Sequence, residues 1–63
     1  MKPGDIVYIN GKKDLFFDRD SREFIGRACV FIKKTKAGLY QVHLQDDKNK
    51  IKAFPFINVD SRI

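Results

Sequence analysis

Cys29 and His43 are the one pair in this sequence with the chemistry of a nucleophile and its base. A cysteine attacks as the thiolate, so such a pair needs hydrogen-bond contact and, in most cases, a third group to orient the base. Cys29 and His43 fall at the same parity on stretches that read as neighbouring strands. They read as two unrelated side chains on one face of a sheet, and no enzymatic activity is expected. Asp18-Arg19-Asp20 opens like a calcium loop but lacks the glycine and the distal glutamate at that spacing. One cysteine and one histidine argue against a zinc site and exclude an internal disulfide. No glycine-rich phosphate cradle occurs. The expectation is a protein without catalytic residues, metal, cofactor or small-molecule substrate.

The basic residues carry more information. Thirteen Lys and Arg against eight Asp and Glu leave a net charge of +5, which favours a polyanionic partner, although small domains also carry such charge for solubility. Lys33, Lys34 and Lys36 crowd one turn, and Lys48, Lys50 and Lys52 follow another. Outward parity would join Arg27, Phe31 and Lys33 on one strand with Gln41 and His43 on the next, and with Lys50 and Lys52 on a third. A stripe of Arg27, Phe31, Lys33, Lys34, Lys36, Lys50 and Lys52 suits RNA or single-stranded DNA, with cations on phosphates and a ring for stacking. The competing reading is a solvated polar face with Phe31 covered by the long loop before it.

A second surface candidate lies in that loop. Leu15, Phe16 and Phe17 form an apolar knot among charges and cannot all point inward. Exposed, they would anchor a protein partner; buried, they would cap a core that is thin in so short a chain.

The elements that position these residues are strands. Pro3-Gly4-Asp5 is a turn signal feeding Ile6-Val7-Tyr8-Ile9, and Asn10-Gly11 breaks that strand. Residues 12–23 read as a loop with at most one helical turn, or as a short helix capped by Asp14 that runs towards Gly26. Gly26 opens a second strand, residues 33–38 make a turn, and residues 39–44 a third strand. Residues 45–49 turn again, residues 50–54 form a fourth strand, Pro55 ends it, and residues 56–59 make a 3₁₀ turn before a last short strand at 60–63. Alternation assigns Val7, Ile9, Ala28, Val30, Ile32, Tyr40, Val42, Leu44, Ile51 and Phe54 to the core. The architecture expected is all-β, a single domain over residues 1–63 forming a small, strongly bent five-stranded barrel.

Pro3-Gly4-Asp5-x-Val7-x-Ile9, Gly26-x-Ala28-x-Val30 and Tyr40-x-Val42 resemble the Src-homology-3-like barrels of the KOW and Tudor kind. Phe54-Pro55-Phe56-Ile57-Asn58-Val59 is similar to the strand, proline, 3₁₀ turn and strand that close such barrels. The loop at residues 11–24 is longer than the KOW linker, and the absence of tryptophan departs from the peptide-binding members. The resemblance implies the fold and leaves the partner open, because these barrels bind RNA, DNA and proteins alike.

The leading functional expectation is a nucleic-acid-binding barrel, or a protein acting within a transcription or translation machine. The alternative is a small docking module, of the kind a phage encodes to regulate a larger host enzyme, anchored by residues 15–17. The N-terminal residues lack the apolar run of a signal peptide, and no stretch approaches a membrane span, so a cytoplasmic, reducing location is expected.

Overall fold

The computed structural model describes residues 1–12 and 17–61. Five strands, β1 (Ile6–Ile9), β2 (Ala28–Lys34), β3 (Tyr40–Leu44), β4 (Asp47–Phe54) and β5 (Val59–Ser61), form one antiparallel sheet in the order β4-β3-β2-β1-β5. The all-β expectation holds. The sheet runs in linear order, and among the described residues no pairing joins β4 to β5. A 3₁₀ turn at Phe56–Asn58 separates the last two strands, as Pro55 with its extended backbone had indicated. The fifth strand starts earlier than expected, at Val59, and Arg62 and Ile63 lie outside the described residues.

The long connection between β1 and β2 holds one helical turn, α1 (Arg19–Arg22). Its cap is Asp18 rather than Asp14, which lies outside the described residues. The Asp18 carboxylate accepts from the Ser21 N–H at 2.7 Å, satisfying a donor that has no partner within a first helical turn. Gly26 stands at φ +76, a conformation that side chains with a Cβ rarely adopt, and its N–H donates to the Ile9 carbonyl at 3.0 Å. That bond returns the chain to β1, so β2 begins only at Ala28.

The core is Val7, Ile9, Phe24, Cys29, Phe31, Val42, Leu44, Phe54 and Val59. On β1 and β3 the expected faces are correct. On β2 the expected face is overturned: Cys29 and Phe31 point inward, whereas Ala28, Val30 and Ile32 are only half-buried. The reason is pairing. Cys29 stands opposite Val7 on one side and Leu44 on the other, and Phe31 opposite Val42. Directly opposed residues share a face, so the buried neighbours pull these two in. Both parities of β2 are apolar, and the one carrying the larger ring removes more surface from water. A register shift between Phe31 and Lys33 then ends the simple alternation.

Ile51 is a second correction. It pairs with His43 and is 46% exposed, because Phe54 opposite Tyr40 sets the inward parity of β4. That parity carries Lys52 and Lys50 onto the inner side, where aliphatic stems can cover apolar surface while the charged heads reach water. Phe24, absent from the expected core, is 1% exposed, and its ring lies 5.4 Å from that of Phe54. Phe17 also meets Phe54, at the same centroid distance of 5.4 Å, so two rings of the long connection pack against it. Among the described residues, no helix is long and apolar enough to cross a membrane.

Candidate nucleic-acid interface

The β2–β3 hairpin turns through Lys33, Lys34, Thr35, Lys36, Ala37 and Gly38. Gly38 has φ +84 and donates its N–H to the Thr35 carbonyl at 3.0 Å, while the Thr35 N–H donates to the Leu39 carbonyl at 2.7 Å. The Thr35 hydroxyl also accepts from the Leu39 N–H at 3.1 Å. This network holds a tight tip whose three lysines are exposed. Among the described residues, none of Lys33, Lys34 and Lys36 enters an ion pair.

Beside the tip is an aromatic ladder. Buried Phe31 packs against Tyr40 with centroids 5.6 Å apart, and Tyr40 meets Phe56 edge-on at 5.9 Å. Lys34 places its Nζ 6.0 Å from the Tyr40 centroid, at the limit of a cation–π contact. Phe56 is 70% exposed, the most open large apolar side chain among the described residues. It is held there by the 3₁₀ turn, whose other end is fixed inside the protein. Asn58 is 2% exposed and donates to the carbonyls of Asn10 and Lys12, while Asn10 returns a bond from Nδ2 to the Ile57 carbonyl at 3.0 Å. The Asn10–Asn58 clasp thus orients the turn so that Asn58 faces in and Phe56 faces out.

The structure divides the stripe expected from the sequence. Phe31, expected outward as a stacking ring, is 6% exposed and forms the floor beneath Tyr40. Arg27 makes a two-pronged contact to Asp46, at 2.9 and 3.1 Å. Lys50 donates to Glu23 at 2.9 Å and Lys52 to Asp18 at 3.5 Å. Hydrogen bonds from Ser21, then Lys52, hold the Asp18 carboxyl below its usual range; Lys50 does the same for Glu23, whose carboxylate in turn raises Lys50. What remains is the hairpin tip with Lys33, Lys34 and Lys36, of which Lys34 pairs with Tyr40 and shares its face, whereas Lys33 pairs with Gln41.

Tyr40 and Phe56 were missed as site residues, although a signal for them existed. Six phenylalanines and two tyrosines exceed what so thin a core can enclose, and a ring following Pro55 in a one-turn helix has few neighbours to cover it. Of the loop residues expected to dock a protein, Leu15 and Phe16 lie outside the described residues, and Phe17 packs on the core. Cys29 and His43 do not meet. Cys29 faces the core opposite Leu44, whereas His43 pairs with Val30 and Ile51 on the other face. Burial pushes the Cys29 thiol up to about 11 from an ordinary 9.0, which suppresses the thiolate.

Comparison with protein-family models, curated proteins and solved structures returns no match.

Proposed function

We propose that this protein is a non-enzymatic, Src-homology-3-like barrel that binds RNA or single-stranded DNA through the tip of its β2–β3 hairpin. The observation that carries the reading is the 70% exposed Phe56, braced edge-on by Tyr40, whose ring Lys34 also approaches from a hairpin tip where Lys33, Lys34 and Lys36 form no ion pair among the described residues. An open ring beside clustered cations provides stacking for one base and contacts for neighbouring phosphates, which single strands offer and a closed duplex does not. The strand order and the 3₁₀ turn before the last strand support the barrel.

Fluorescence anisotropy with labelled RNA and DNA oligonucleotides, repeated across salt concentrations, tests the reading. Three phosphate contacts on a single strand give a log-affinity against log-salt slope of about −2, and Lys33→Ala, Lys34→Ala and Lys36→Ala each flatten it by about 0.7. The loss is equal for all sequences, since backbone contacts carry no sequence information. Phe56→Ala weakens binding by about 1–3 kcal/mol and leaves the melting temperature near its parent value. Absence of binding to both RNA and DNA at low salt removes the proposal.

One observation favours protein docking as the second reading. Phe17, Ala53, Phe54, Pro55 and Ile57 line a cleft of about 330 Å³ beside the 3₁₀ turn, with Ile57 44% exposed. A partner side chain seated there would bind with little salt dependence, so the salt series separates the two readings.

A further inference from the structure

Lys50 and Lys52 have the spacing and chemistry of phosphate contacts, yet the chain's own acids occupy them. We propose that Asp18 and Glu23, carried by the α1 segment, stand in for phosphates and mask a second cation pair that would otherwise lengthen the nucleic-acid site. The inference rests on the nucleic-acid reading above.

Position comes first. Tyr40 stands opposite Phe54, and the next inward residue along β4 is Lys52, opposite Val42. Same-face residues on a strand are about 7 Å apart, so Lys52 and then Lys50 continue from the Tyr40–Phe56 ladder along an edge strand. Occupancy comes second. Lys50 reaches Glu23 at 2.9 Å and Lys52 reaches Asp18 at 3.5 Å, closing over a cleft of about 250 Å³ lined by Asp20, Glu23, Phe24, Asn49, Ile51 and the two lysines. The depressed Glu23 carboxyl and the raised Lys50, each caused first by their mutual hydrogen bond, agree with the Lys50–Glu23 contact.

The mask is separable from the fold. Phe17 and Phe24 hold the segment through Phe54, while the ion pairs sit at the surface with the side chains of Lys50 and Glu23 about half exposed. Exposed pairs of this kind add little to the stability of the fold. Replacing the acids therefore releases the lysines without releasing the segment.

The test is an Asp18→Asn/Glu23→Gln variant, measured by anisotropy against a labelled single-stranded oligonucleotide of mixed sequence at several salt concentrations. Two new contacts steepen the slope from about −2 to about −3.5, with an affinity gain at low salt of about three- to tenfold. Lys50→Gln/Lys52→Gln alone leaves parent binding nearly unchanged. Adding it to the acid-free variant cancels both the gain and the steeper slope. A gain that survives loss of the two lysines is an effect of net charge and overturns the inference. So does the absence of any gain in a variant that melts as the parent does. If the parent itself binds no oligonucleotide at low salt, the nucleic-acid reading falls and the inference with it. A parent that binds, with acids that make no difference, removes the inference alone.

Discussion

Two turns of the meander each carry three lysines within a few residues, and the fold treats the two groups differently. At the β2–β3 tip, Lys33, Lys34 and Lys36 project from a short hairpin that no other segment approaches with an acid, among the described residues. Beyond the β3–β4 turn, Lys50 and Lys52 fall under the α1 segment, whose Glu23 and Asp18 meet them. Among the described residues the first group forms no ion pair, whereas two of the second group's three lysines, Lys50 and Lys52, are paired with the chain's own acids. A count of basic residues therefore overstates the field a polyanion meets. Available charge depends on which acids the chain folds back onto its own cations.

The largest effect that sharpens this contrast lies beneath the tip. Phe31 is the floor on which Tyr40 rests, so Phe31→Ala removes about 3–5 kcal/mol by lost burial and cavity formation. That matches the whole stability of a domain this small, and circular dichroism is expected to show a largely unfolded chain. Val30→Ala, on the opposite face of the same strand, costs less than about 1.5 kcal/mol and keeps the cooperative melt. Equal losses from the two substitutions would break the assignment of faces on which the tip site depends.

Acid gives an intermediate effect, confined to one region. Asp18 and Glu23 have folded values below their ordinary 3.8 and 4.5, so their contribution is present above those values and is lost as pH falls through the folded ones. Below about pH 4 the α1 pairs and the Asp18 cap weaken. The protection of the Ser21 amide, relative to its intrinsic exchange rate at the same pH, is expected to fall there while the Gly38 and Leu39 amides of the tip keep theirs. Matching loss at both places would remove the distinction between a masked and an open group.

The smallest effect is alkaline. The Cys29 thiol keeps its proton in the fold to about 11, against 9.0 for an ordinary thiol. Between these values the unfolded chain loses a proton that the native protein retains, so stability declines as pH rises through this window. Urea midpoints of the parent and Cys29→Ala, compared at pH 8 and 10 on the scale of these pKa values, test this. The parent is expected to lose more between the two conditions than the variant does.

Much of the fold was legible in the chain. Glycine and proline punctuation placed the strands and the 3₁₀ turn within a residue or two, except that β4 begins at Asp47, three residues before the expected start. Val7 and Ile9 on β1 were assigned correctly, and on β3 alternation assigned Val42 and Leu44 correctly because one parity there is plainly more apolar. On β2 both parities are apolar, and local pattern carries no preference between them. Only pairing with Val7, Val42 and Leu44 could decide that Cys29 and Phe31 go inside. The site follows the same division. The lysines at the tip were visible because a hairpin turn exposes whatever it contains. The exposure of Phe56 needed the Asn10–Asn58 clasp between segments 48 residues apart, and the masking of Lys50 and Lys52 needed contacts 27 and 34 residues away. Sequence determines which side chains a strand can offer, since backbone geometry is local. Which of them stays available is decided by distant segments competing for the same surface and the same charge, and that competition exists only in the folded chain.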